Sequence, residues 1–207
     1  MRGLYLVTPN WDDTDKLLAV SAQALDAGLA LLQYRHKSAS AALRLEQATA
    51  LLALCRRHRC ALVINDFVEL CQSLDADGVH VGGTDASVAQ MRAALGPDKI
   101  VGASCYGDLA LARAAQAEGA SYVAFGGFYP SLVKQYPVTT APDIVAQAKR
   151  EIALPCVVIG GMTPDNAAPL AARGADMVAA ISSVYLAPDP AAAVRRFQAL
   201  FAAPLPA

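Results

Sequence analysis

The stretch Asp26-Ala27-Gly28-Leu29-Ala30-Leu31-Leu32-Gln33-Tyr34 contains the unit from which the fold follows. Gly28 closes the segment before it, because a residue without a Cβ takes the left-handed conformation that ends a helix. A short apolar run starts at once and finishes in polar residues. The same transition recurs at Glu118-Gly119-Ala120-Ser121 and Arg173-Gly174-Ala175-Asp176. Asp75-Ala76-Asp77-Gly78 repeats it without the preceding glycine. One helix-to-strand unit is being reused.

Outward from that unit, apolar runs predict strands at residues 3–7, 29–34, 61–64, 78–81, 100–104, 122–125, 156–159 and 177–180. Stretches of helical period predict helices at 13–27, 41–58, 68–74, 87–95, 109–118, 142–152, 164–172 and 190–201. Several runs are apolar throughout rather than alternating, as in strands buried on both faces of a parallel sheet. Eight strand–helix units predict an α/β fold, a closed (β/α)8 TIM barrel, with residues 1–207 as one domain. An open doubly wound sheet is the alternative; the number of units and the lack of a G-x-G-x-x-G after the first strand count against it.

Composition narrows the function. The 207 residues are 55% hydrophobic and carry a formal charge of -1. That balance gives no electrostatic case for nucleic acid or an anionic membrane. No apolar run reaches membrane-spanning length, and the N-terminus lacks a signal-peptide pattern, so a cytoplasmic location is expected. The five cysteines are odd in number and form no C-x-x-C, which predicts reduced, buried thiols rather than disulfides or zinc. Cys105, beside Ser104 at a strand end, is the one to watch.

In a parallel barrel, chemistry sits at the C-terminal ends of the strands. Those ends carry Gln33-Tyr34-Arg35-His36-Lys37, Asn65-Asp66, His80 leading to Asp85, Ser104-Cys105-Tyr106, Gly126 through Lys134, Gly160-Gly161 and Ile181-Ser182. Period two places Gln33, Arg35 and Lys37 on one face, with Tyr34 and His36 on the other. An amide and two cations facing the mouth make an anion receptor; a solvated rim is the alternative. Asp66 and Asp85 follow neighbouring strands, and paired hard oxygens suit Mg²⁺. Their alternative is helix capping, Asp66 before residue 68 and Asp85 before residue 87. Gly160-Gly161 opens a helix that Thr163 caps and Pro164 starts, a geometry suited to phosphate. His58 reads as solvated, His80 as a hydrogen-bonded core residue and His36 as facing away, so none is assigned general-base work. The chain reads as an enzyme of phosphorylated small molecules.

In order and spacing, these segments resemble the thiamine-phosphate synthase family nearly end to end. The likeness rests on Leu4-Tyr5-Leu6-Val7-Thr8, Gln33 to Lys37, Ile64-Asn65-Asp66, Asp77 to Asp85, Gly102-Ala103-Ser104, Tyr129 to Lys134, Ile159-Gly160-Gly161-Met162 and Ile181-Ser182. The resemblance implies joining 4-amino-2-methyl-5-hydroxymethylpyrimidine diphosphate to 4-methyl-5-(2-hydroxyethyl)thiazole phosphate, with release of diphosphate. It implies that Gln33, Tyr34, Arg35, His36, Lys37, Asn65 and Ser104 hold the pyrimidine diphosphate. Ser131, Leu132, Val133, Lys134, Gly161, Ile181 and Ser182 would hold the thiazole phosphate, and Asp66 and Asp85 the Mg²⁺. Catalytic work would fall to Arg35, Lys37, Ser104 and Lys134. The chain departs from the family pattern at His36 (usually Glu), Phe67 (commonly Arg), Gly83-Thr84 (usually Gln-Glu) and Val133 (usually Thr). The alternatives are a thiazole tautomerase and a non-catalytic phosphate-binding barrel. Small-molecule substrates are the expected partners, and self-association into a homo-oligomer stays open.

Overall fold

Eight parallel strands pair in chain order and close when the first meets the last. The computed structural model describes residues 1–82, 87–130 and 140–202. The strands are β1 (Gly3–Val7), β2 (Leu31–Tyr34), β3 (Leu62–Asn65), β4 (Gly78–Val81), β5 (Ile100–Tyr106), β6 (Tyr122–Gly126), β7 (Cys156–Ile159) and β8 (Met177–Ala180). Between them run α1 (Thr14–Asp26), α2 (Ala41–His58), α3 (Val68–Leu74), α4 (Val88–Leu95), α5 (Leu109–Ala117), α6 (Ile144–Glu151) and α7 (Pro164–Ala172). After β8 come α8 (Ser182–Tyr185) and α9 (Pro190–Ala199). This is the (β/α)8 barrel that the alternating runs predict.

Period-two alternation divides each strand between two cores. Leu4, Leu6, Leu32, Tyr34, Leu62, Ile64, Val79 and Val81 face outward, into the main core beneath the helices. Tyr5, Val7, Leu31, Val63, Tyr122, Ala124, Val157, Met177 and Ala179 form a second cluster that fills the barrel. The same alternation turns Gln33, Asn65, His80 and Ser104 inward near the strand ends. The interior is a packed plug with a polar top, and the top is the mouth.

Two local devices shape that mouth. Gly102 makes room for a ring: a Cβ there would lie 2.0 Å from Tyr122 Cζ. The register of β5 on β6 shifts between Ser104 and Tyr106, so Cys105 is the extra residue of a bulge that bends the strand end. The strand therefore runs past the predicted end at residue 104. β2 starts at Leu31, because Leu29 and Ala30 are spent on the turn after Gly28. Gly28, Gly119 and Gly174 all have positive φ, as the repeated unit requires, and Asp75 adopts that conformation itself where the glycine is missing.

Candidate active site

The loops after β2 and β3 meet at the mouth. Asp66 Oδ2 accepts from Asn65 Nδ2 at 2.6 Å and pairs with Lys37 Nζ at 3.1 Å. Asp66 sits at φ 63, a left-handed conformation that aspartate and asparagine tolerate better than most residues. Its N–H donates to His80 O, fastening this loop to β4. Asp66 is not a helix cap: Phe67 is the N-cap of α3, and no side chain bonds there. Asp85 lies outside the described residues, but the N-cap of α4 is Ser87, locked in a reciprocal capping box with Gln90.

β2 itself ends at Tyr34, and the receptor residues continue as loop. Thr8, at the end of β1, holds that loop: its Oγ1 accepts from Arg35 N at 2.7 Å and donates to Arg35 O at 3.2 Å. Arg35 is buried, whereas Lys37 stands half exposed above Asp66. Tyr34 points into the helical layer and donates to Gln47 Oε1 at 3.1 Å. His36 Nε2 meets Asp12 Oδ1 at 3.0 Å, in the loop after β1. The structure thus brings Gln33, Lys37, Asn65 and Asp66 to the mouth, sends the Tyr34 side chain into the helical layer and ties the His36 ring to the loop after β1.

Inside the barrel a polar relay joins two of the candidate residues. Gln33 Nε2 donates to Tyr5 Oη at 2.5 Å, and Tyr5 Oη lies 2.6 Å from Tyr122 Oη. Tyr122 Oη bonds His80 Nδ1 at 2.9 Å, and His80 Nε2 bonds Ser104 Oγ at 2.8 Å. Burial pushes the Tyr5 and Tyr122 phenols well above their ordinary range, so both stay neutral. Sequence reasoning does not reach Tyr5 and Tyr122, which look like ordinary strand aromatics. A glycine opposite an inward tyrosine is the one signal that could have found them.

Across the mouth, Gly160 and Gly161 have positive φ and serve close packing. A Cβ on Gly161 would lie 2.2 Å from Pro130 O, and one on Gly160 would lie 2.9 Å from Gly127 N. The far side of the same loop is pinned where Thr140 N donates to Gly127 O at 2.7 Å. Residues 130 and 140 are therefore both anchored beside β6 and β7. Ser131, Leu132, Val133 and Lys134 lie outside the described residues. Thr163 and Asn166 form a capping box at α7, and Asn166 Nδ2 also donates to Gly161 O at 2.9 Å. Ile181 is the N-cap of α8, which begins at Ser182, so both residues stand at the end of β8.

The remaining candidates settle readily. All five cysteines are free and buried. Burial pushes the Cys105 thiol up to about 12, which makes it inert at neutral pH. His58 is partly exposed and faces the exposed Asp26 at 3.5 Å, on the outside of the helical layer. No helix among the described residues is long and apolar enough to cross a membrane.

Fold and mouth together define a (β/α)8-barrel enzyme. The chain belongs to the thiamine monophosphate synthase family, whose family model matches residues 4–184. It is 67% identical to the thiamine-phosphate synthase of Janthinobacterium sp. (strain Marseille), over 98% of each chain. It is 51% identical to that of Methylobacillus flagellatus, over 97% of this chain and 96% of the relative. Thiamine phosphate pyrophosphorylase from Pyrococcus furiosus superposes with a TM-score of 0.83 at 28% identity, over 96% of this chain and 94% of that one.

Proposed function

We propose that this chain is a thiamine-phosphate synthase that joins the aminopyrimidine diphosphate to the thiazole phosphate. The observation that carries the assignment to this mouth is the meeting of Lys37 and Asp66, from successive strand ends, at 3.1 Å. A carboxylate held beside a lysine, with amide and hydroxyl groups next to it, suits a diphosphate and its counter-ion.

The pyrimidine C–O bond breaks first, and its electron pair leaves with the diphosphate. The electron-rich aminopyrimidine ring stabilises the methylene cation left behind. Arg35 and Lys37 neutralise the charge growing on the leaving group, a preorganised electrostatic role. The thiazole nitrogen then donates its lone pair to that carbon and completes the C–N bond. No protein nucleophile is required. Gln33, Asn65 and Ser104 orient the pyrimidine half, and the Gly161 and Ser182 turns hold the thiazole phosphate, which supplies proximity. Loop residues Ser131 to Lys134 complete that second half in this reading.

Asp66 fits a divalent ion. Its carboxylate is partly exposed, and only Oδ2 is engaged among the described residues. With Asp85 it would hold Mg²⁺, which supplies charge neutralisation to the diphosphate when bound. Free thiols agree with a cytoplasmic site of action. The test is direct: purified protein with both substrates and Mg²⁺ releases diphosphate and thiamine phosphate in equal amounts. Tautomerisation of a thiazole carboxylate phosphate with no thiamine phosphate formed overturns the proposal.

A further inference from the structure

The relay inside the barrel has a direction. Each phenol and each serine hydroxyl carries one proton, and a neutral imidazole carries one N–H. Gln33 donates its amide hydrogen to Tyr5 Oη, so among the described residues the Tyr5 proton has one acceptor left, Tyr122 Oη. The Tyr122 proton must then go to His80 Nδ1. That leaves Nδ1 bare and the imidazole hydrogen on Nε2, which donates to Ser104 Oγ. Ser104 keeps its own proton for the mouth. Gln33 Oε1 has no partner among the described residues, and with Gln33 turned inward near the C-terminal end of β2 it is the amide's acceptor for a ligand at the mouth. The opposite direction is self-consistent only if the Gln33 amide turns over and every link reverses with it. A half-reversed relay sets two protons against each other in a buried site.

We propose that Tyr5, Tyr122 and His80 are positioning residues that couple the Gln33 amide to the Ser104 hydroxyl, fixing Gln33 as acceptor and Ser104 as donor at the mouth. The identity of the ligand rests on the synthase reading; the direction of the relay does not. An acceptor from Gln33 matches the exocyclic N–H of a 4-aminopyrimidine and opposes the carbonyl of a 4-oxopyrimidine. A single glutamine would discriminate poorly, since its amide turns over freely. Coupled to four other groups, it can turn only if all of them reverse. Gly102, which admits the Tyr122 ring, is the backbone feature that makes the coupling possible.

Two measurements test this. In ¹⁵N-labelled protein with His36→Gln and His58→Gln, His80 is the sole histidine signal. Neutral imidazole with the proton on Nε2 is expected; the Nδ1–H tautomer or an imidazolium overturns the proposal. Tyr122→Phe keeps the ring and removes the link, and it should shift the Nδ1 resonance as the bond to it is lost. The second measurement is binding of the 4-amino and 4-oxo pyrimidine diphosphates. The unmodified relay should favour the amino compound by about tenfold or more, and Tyr122→Phe or Tyr5→Phe should narrow that preference to within about threefold. An unchanged preference in both folded variants overturns the coupling. A protein that forms no thiamine phosphate yet shows the Nε2–H tautomer loses the synthase reading and keeps the relay's direction.

Discussion

Replacing Asp66 by asparagine separates the chemistry of this carboxylate from its place in the fold. Asparagine has the same shape and tolerates φ 63, so the backbone of the loop is preserved. What is lost structurally is a pair whose lysine side chain is 52% exposed and whose aspartate is 21% exposed. Pairs of that kind contribute about 0–1 kcal/mol. For a chain of this size that is a fall of about 0–4 °C in Tm. The chemical loss is larger. Taking a charged oxygen from the proposed ion removes stabilisation of the departing diphosphate, for which about 3–4 kcal/mol is a reasonable scale. At 1.36 kcal/mol per decade, kcat should fall by about 10²–10³. The Mg²⁺ concentration for half-maximal rate should rise as well. The assay is diphosphate release at saturating substrates over a Mg²⁺ titration, with thermal melting in parallel. Turnover within about twofold of the parent at every Mg²⁺ concentration would refute the metal assignment. A collapse in Tm with turnover retained below it would make Asp66 a structural residue. Asp66→Ala is the internal contrast: alanine at positive φ should cost about 1–2 kcal/mol more stability than asparagine.

Gly161→Ala puts a Cβ against Pro130 O at 2.2 Å and at φ 60, so KM for the thiazole phosphate should rise more than kcat falls; steady-state kinetics with each substrate varied in turn will show this. Gly102→Ala drives the Tyr122 ring aside and breaks its bonds, so stability should fall by about 2–5 kcal/mol in denaturant titration. Burial pushes the Cys71 thiol up to about 11 and the Cys105 and Cys156 thiols up to about 12. A raised thiol pKa leaves little thiolate below it, so iodoacetamide at pH 8 should spare those three until the chain unfolds. Cys60, held down by a hydrogen bond from the Cys55 thiol, should be the first labelled, as peptide mass mapping will show.

The eight-unit barrel was legible because the signals it needs are local. Glycine after a helix, an apolar run and a polar end lie within nine residues at Asp26 to Tyr34. The four-residue α8 escaped because it is barely longer than one helical turn and shows no period. The bulge at Cys105 escaped because it exists only in the pairing of β5 with β6. His80 was readable as a bonded core residue, but its partners were not, since Tyr122 and Ser104 come from other strands. Tyr5 and Tyr122 meet across 117 positions of sequence, a contact no window contains. Lys37 and Asp66 were legible as neighbours because barrel order places their strands side by side. The direct ion pair between them was not, since it depends on the left-handed turn at Asp66.

The pairing that seals the barrel joins Gly3 to Met177 and Leu6 to Ala180. During synthesis, β1 emerges early and finds one neighbour within some thirty residues, at β2. Its other edge waits for β8, by which time most of the chain has been made. Until then an apolar ribbon, Gly3-Leu4-Tyr5-Leu6-Val7, displays unpaired amides and carbonyls to whatever strand passes. Closure is also the contact with the longest loop to draw in, so it belongs late on the folding route. The α9 residue Gln198 then ties the last helix to the turn before β2 by donating to Gly28 O. A nascent chain halted before residue 177 would be left with two sticky borders, at β1 and at β7, where the finished barrel has none.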